Sequence, residues 1–157
     1  MPKASSQNQT APLIRKAAAA DMAAVQQIEC EQFSNPWRLE FFTAELANSF
    51  SNFYVAEDAA SGDLTGYLLF WRLGAELELH KIAVAKAWQG KGHASHLLEF
   101  FIQTARSWGI DRAVLEVRVH NTPAIRLYEK FAFSCVGRRR DYYDRPVEDA
   151  LLYELAF

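Results

Sequence analysis

Cysteine is scarce in this 157-residue chain, which has only Cys30 and Cys135. They form no CxxC pair and stand at no Cys/His ligand spacing, so neither a disulfide framework nor a thiolate metal centre organises the fold. Each lies in an apolar stretch and is expected as a buried free thiol in a reducing compartment. The histidines His80, His93, His96 and His120 also lack metal-ligand spacing. No apolar run approaches the length of a membrane span, and the opening MPKASSQNQTAP has no apolar signal core. A soluble, cytoplasmic protein without a membrane partner is the expectation. Neither sign of charge dominates, with 17 basic against 19 acidic side chains and a formal charge of −2. That balance supplies no overall field for nucleic acid. Internal repeats and low-complexity segments are missing too.

What is present is apolar residue, half of the chain, enough for one sizeable core. Residues 1–10 are expected to form a disordered polar tail and residues 11–157 a single domain. PLIRKA reads as a strand. Asp21 is placed as the N-cap of a helix that turns Val25, Ile28 and Phe33 inward, and Asn35 with Pro36 opens a second helix on which Leu39, Phe42 and Leu46 share a face. NFYVAED, LTGYLLFWRL and ELELHKIAV read as a three-strand meander. From Lys91 the positions Leu97, Leu98, Phe101, Ile102, Ala105 and Trp108 keep helical spacing until Gly109 stops them. RAVLEV is a strand, TPAIRLYEKF a short helix, and FSCVGRR and ALLYELAF are closing strands. The order βααβββαβαββ describes an α/β (α+β) domain, a mixed and mostly antiparallel sheet flanked by helices.

Between the third strand of the meander and the long helix lies AWQGKGHASHLLEF, residues 87–100. A strand end, a glycine turn and a helix start make an anion site, because unpaired N–H groups and the positive end of the helix dipole converge there. The spacing is not that of a P-loop, and only part of a dinucleotide GxGxxG is present, which disfavours a nucleoside triphosphate. The run Gln89-Gly90-Lys91-Gly92-His93-Ala94 instead matches Q/R-x-x-G-x-G/A and resembles the GNAT acyl-CoA-dependent N-acetyltransferases. NPW near the start, IAV before the loop, LEVR..N..AI.LYE and RR.YY....EDA together resemble one bacterial group among them, the RimI family of ribosomal-protein-alanine N-acetyltransferases. The resemblance runs from about residue 12 to the end of the chain.

That resemblance implies the GNAT fold, acetyl-CoA as acetyl donor and no metal. It gives Glu116 the role of general base and Tyr128 that of the acid which protonates the coenzyme A thiolate. Ile82, Ala83 and Val84 would hold the pantetheine arm where their strand splays from RAVLEV. Gln89, Gly90, Lys91, Gly92, His93, Ala94 and Ser95 would hold the pyrophosphate, with Lys91 and His93 adding charge, and Asn121 would reach the cofactor through its side-chain amide. Without it, Glu116 reads as a solvated or ion-paired strand residue and Tyr128 as core packing. Three departures from the family pattern stand out: Ala94 and Ser95 replace Gly-Arg, Ala132 replaces Gly before an aromatic, and Lys81 stands where a neutral polar residue is common.

RimI-like enzymes acetylate the N-terminal α-amine of a small-subunit ribosomal protein whose exposed tail begins with Ala and is rich in arginine. The acceptor implied here is such a peptide, with Trp37, Tyr142, Tyr143, Glu148 and Asp149 as its groove. The plain alternative for RRRDYYDRPVED is a hairpin whose charges neutralise one another. Two other functions stay open: transfer to a small amine such as a polyamine, amino acid or antibiotic, and a non-catalytic acyl-CoA sensor. Monomer and weak dimer are both compatible with the sequence.

Overall fold

The computed structural model of the protein describes residues 10–157. The tail expected over residues 1–10 lies, but for Thr10, outside them. The elements are β1 (Leu13–Lys16), α1 (Met22–Gln32), α2 (Leu39–Ala47), β2 (Ser51–Glu57), β3 (Leu64–Leu73), β4 (Glu76–Val84), α3 (His93–Ser107), β5 (Arg112–Arg118), α4 (Thr122–Lys130), β6 (Ser134–Tyr143) and β7 (Glu148–Ala156). This is the expected order, with short 3₁₀ turns added at Ala19–Asp21 and Lys86–Trp88. The strands form one seven-stranded sheet in the order β1-β2-β3-β4-β5-β7-β6. Only β4 and β5 pair in parallel, across the α3 crossover.

Helices cover both faces. On one, Val25 and Ile28 of α1 and Phe42 of α2 pack on Phe53, Val55, Tyr67, Leu69 and Ala83. On the other, Leu97, Leu98, Phe101 and Ala105 of α3 and Tyr128 of α4 pack on Leu68, Phe70, Leu77, Ala113, Leu115 and Val117. Period-two alternation in β5 therefore sends Ala113, Leu115 and Val117 to the α3/α4 side, and Glu116 and Arg118 to the α1/α2 side.

Two irregularities of β4 open the sheet and turn polar side chains toward α1 and α2. The first is a short ladder with β5, which covers only Glu76–Leu79 against Arg112–Leu115. Beyond that point β4 stays with β3 as far as Val84, and β5 stays with β7 as far as Arg118, so the two parallel strands part. The second is a bulge. Phe70 faces Leu79 and Leu69 faces Lys81, which leaves His80 unopposed. A bulge re-aims side chains, and here His80, against Trp71, and Lys81, against Glu29 of α1, both turn to the α1/α2 face.

Three local expectations are corrected. Asn35 and Pro36 do not open α2, which starts at Leu39 after Arg38. The Trp37 backbone between them is held off the helix, its N–H donating to Glu29 Oε1 (3.1 Å) and its carbonyl accepting from Gln26 Nε2 (2.8 Å). Asp21 occupies the N-cap position of α1, but its carboxylate accepts from both arms of Arg15 (2.8 and 2.9 Å) and from the Ala18 N–H (2.8 Å) instead of capping the helix. Phe33 is the extended residue just past α1 and still packs, half-buried, against the same core as Val25 and Ile28. Both cysteines are free and exposed, not buried. Cys30 falls beside the buried stripe Met22, Val25, Ile28 and Glu29, and Cys135 lies on the edge strand β6.

Ala132 closes α4 in the left-handed region at φ 70°, with its N–H on the Glu129 carbonyl and the Phe133 N–H on that of Tyr128. Alanine stands where the family that the sequence resembles often has glycine, and the turn geometry that favours glycine is kept. Ala132→Gly should therefore raise folding stability by about 0.5–1 kcal/mol, read as a shift of about 2 °C in Tm.

Candidate active site

The parting of β4 from β5 leaves one backbone edge on each strand without a sheet partner, and the chain turns directly from this opening into the glycine loop. The Ala85 N–H is bonded to the Thr65 carbonyl (2.7 Å), which fixes the exit of β4. Gln89 fastens the loop from the other end, its Nε2 donating to the Val84 carbonyl (3.2 Å) and to Gln32 Oε1 of α1 (2.6 Å). Gly90 and Gly92 then take φ of 75° and 83°, left-handed values that side chains resist. From residue 90 to residue 95 no backbone N–H finds an acceptor among the described residues. These donors stand at the positive end of a 15-residue helix, over a cavity of about 230 Å³ lined by Val84, Trp88, Gln89, Gly90, Gly92, His93, Ala94 and Ser95.

Charge at this loop comes from lysines and not from His93. The His93 ring is buried with Nδ1 2.9 Å from Thr65 Oγ1, and burial lowers its pKa from the ordinary 6.5, so it stays neutral. Lys91 lies over the Trp88 ring at 4.8 Å, and Lys130 of α4 reaches Ser95 Oγ at 3.4 Å. An anion held by the free N–H groups would meet both ammonium groups. Asn121 caps α4, its Oδ1 accepting from the Ala124 N–H at 3.3 Å, which leaves its amide NH₂ as the part able to reach a ligand.

Beyond the opening, the α1/α2 face collects the remaining polar groups. Glu116 pairs with Arg139 of β6 at 3.2 Å, their side chains 29% and 54% exposed. Its carboxylate, approached by the Tyr142 hydroxyl, raises that phenol's pKa. Tyr128 is buried, and burial holds its pKa far above the ordinary 10.0, with the nearby Tyr143 adding to the shift. Its hydroxyl makes no hydrogen bond among the described residues. Tyr143 is itself pushed up to about 12, by burial first and by Glu116 second. Sensing both Tyr128 and Glu116, Tyr143 marks the point to which the end of β5 and α4 bring the two groups.

Trp37 stands on the loop between α1 and α2, its ring 4.7 Å from Lys81 Nζ. Ser34 of that loop donates to the Arg145 carbonyl of the β6–β7 turn (2.9 Å), joining the two segments across this face. Arg118 is shared by Glu148 (3.1 Å) and the Tyr143 ring (4.5 Å), and Glu148 also accepts from the His120 N–H (2.8 Å). Trp37, Tyr142, Tyr143 and Glu148 are therefore brought to one side with Glu116. Asp149 is not: it points to the α3/α4 face, where it pairs with Arg138 at 2.6 Å. Sequence reasoning missed Glu29, which is fully buried yet accepts from Lys81, Tyr67 and the Trp37 backbone. A lone acid inside the apolar stripe Met22, Val25, Ile28 was the available signal.

The sequence model of the Acetyltransferase (GNAT) family matches residues 22–133. The N-alpha-acetyltransferase RimI of Mycobacterium tuberculosis is 35% identical over 137 residues, which span 83% of this chain and 84% of that protein. The [ribosomal protein bS18]-alanine N-acetyltransferase of Escherichia coli K12 is 30% identical over 86% of this chain and 90% of its own. A crystal structure of the ribosomal-protein-S18-alanine N-acetyltransferase from Escherichia coli superposes with a TM-score of 0.85 at 27% identity, covering 92% of this chain and 93% of the other.

His80 and His93 both have pKa values lowered from 6.5, chiefly by burial. Below that pH the unfolded chain binds more protons than the folded one, so stability rises with pH through the range just below 6.5 and is lost as the pH falls through it. Denaturation midpoints measured at pH values from about 5 to about 8 should show this slope. In His80→Asn/His93→Asn the slope should flatten.

Proposed function

The chain belongs to the acetyltransferase (GNAT) family, and from that premise we propose that it moves an acetyl group directly from acetyl-CoA to the α-amine of an N-terminal alanine, on a ribosomal protein of the bS18 kind. The observation that carries this reading is the opening between β4 and β5, with the free N–H groups of residues 90–95 at one end and Glu116 and Tyr128 at the other. Acetyl-CoA would lay its pyrophosphate on the loop and its pantetheine arm along Ile82, Ala83 and Val84, whose unpaired edge offers strand-like hydrogen bonds.

The chemistry needs an uncharged amine, a polarised carbonyl and a stabilised leaving sulfur. An α-ammonium titrates near pH 8, about two units below a lysine, so a modest base frees it. Glu116 takes that proton directly or through water, once the acceptor displaces the half-exposed Arg139, whose surface pairing costs little to leave. The amine nitrogen bonds to the thioester carbon, the carbon–sulfur bond breaks, and Tyr128 donates a hydrogen bond to the sulfur as charge builds there. Its raised pKa keeps the phenol protonated at every working pH. The products are the N-terminal amide and coenzyme A as thiol, the second proton of the amine balancing the thiolate.

The aromatic side of the acceptor site, Trp37, Tyr142 and Tyr143, suits a peptide chain and basic side chains. Glu148 acts there through Arg118 and His120, both of which it holds, and not as a bare carboxylate.

Three outcomes test this reading. Mass spectrometry after incubation with acetyl-CoA should show acetylation of a peptide starting Ala-Arg and none of its N-terminally blocked, lysine-containing counterpart. Transfer to spermidine and to neither peptide would replace the proposal with a small-amine acceptor. Tyr128→Phe should lower kcat about a hundredfold while leaving acetyl-CoA affinity and Tm unchanged, since the hydroxyl has no partner to lose. Glu116→Gln should lose most activity near pH 7 and recover part of it near pH 9, where free amine is abundant; a flat profile would remove Glu116 from the base role.

A further inference from the structure

Lys81 interrupts the apolar end of β4 one residue before the strand segment assigned to the cofactor, and the bulge at His80 turns it toward α1 and α2. Its ammonium is 2.6 Å from Glu29 Oε1, with side chains 13% and 0% exposed. The same charge lies 4.4 Å from the Phe33 ring and 4.7 Å from the Trp37 ring, the first and the next-to-last residues of the loop between α1 and α2. Cation–π contacts of a desolvated ammonium are stronger than exposed ones. The loop's main chain is pinned separately, Trp37 N–H on Glu29 and Trp37 carbonyl on Gln26. Among the described residues Lys81 is the charged side chain that joins the cofactor strand to the indole and phenyl rings of that loop, where Trp37 also packs on Phe42 at 5.3 Å between ring centroids.

We propose that Lys81, held by Glu29, is a positioning residue for the acceptor: it fixes the Trp37 and Phe33 rings as the acceptor wall at a set distance from the end of β4. The inference rests on the acetyltransferase reading and deepens it by naming what shapes the acceptor side. Burial lowers the Lys81 pKa while Glu29 opposes that shift, so the pair serves as an ionic clamp. Removing the ammonium should leave the loop's main-chain bonds and the Trp37–Phe42 contact intact and loosen both rings on the Lys81 side.

The test compares wild type with Lys81→Met and with Glu29→Gln/Lys81→Met. The single variant strands a buried carboxylate and so loses stability as well; the double variant leaves no buried charge and keeps an acceptor for the Trp37 N–H. In the double variant the KM for an Ala-Arg peptide should rise about tenfold, while the KM for acetyl-CoA and kcat stay within about twofold. An unchanged peptide KM, or both KM values rising together, overturns the inference. Wild-type transfer to the peptide is judged separately and bears on the proposed function alone. If the wild type does not use the peptide, NMR relaxation of the Trp37 indole N–H decides: the ring should be more mobile in the double variant, and equal mobility would refute the clamp.

Discussion

The candidate site of this protein depends on one failure of pairing. A parallel strand pair inside a sheet normally continues as long as both strands do, but β4 and β5 stay bonded only as far as Leu79 and Leu115. Each strand is held past that point by its other neighbour, β3 for one and β7 for the other. The opening is therefore set by strand pairing and not by a loop. Its two edges carry unpaired main-chain groups, which a ligand with amide-like linkages along an extended arm can satisfy. Without the parting, the free N–H groups at the start of α3 would face a closed sheet edge.

The polar groups around the opening are nearly all engaged. Arg139 holds Glu116, Glu148 holds Arg118, and Glu29 holds Lys81. Ion pairs at this depth contribute little net stability when half exposed and much disruption when one partner of a buried pair is removed. Their common effect is geometric, since they fix side chains from β4, β5, β6 and both loops on one face. Against that background the Tyr128 hydroxyl, the N–H groups of residues 90–95 and the buried His80 Nε2 lack partners among the described residues, and the first two lie where the donor substrate would run.

The element order was legible because each segment has one clear period, and the long helix with its glycine stops most of all. The start of α2 was not, because Asn35-Pro36 is a good helix opening locally but Glu29 and Gln26 capture the Trp37 backbone from another helix. Side-chain burial of Cys30 and Cys135 was misread for a similar reason: apolar neighbours in sequence do not reveal that one cysteine lies off the helix stripe and the other on an edge strand. Glu116 and Tyr128 came from the resemblance to a family; the alternation of β5 by itself gave Glu116 only a place on the face opposite Ala113, Leu115 and Val117. The bulge was in fact visible. Leu77 and Leu79 alternate, and the next inward residue on their side of the pattern slips past His80 and Lys81 to Ile82, a one-residue change of phase. Asp149 shows the opposite limit, one position from Glu148 and on the other face of the sheet.

The most direct measurement is a crystal structure of the protein with a non-hydrolysable acetyl-CoA analogue and an alanine-starting peptide. The analogue's arm should lie between β4 and β5, with its pyrophosphate on the N–H groups of residues 90–95 and its sulfur within hydrogen-bond reach of the Tyr128 hydroxyl. The peptide amine should sit beside Glu116, directly or through one water. An analogue bound outside that opening, or with its sulfur out of reach of Tyr128, would contradict the proposed transfer.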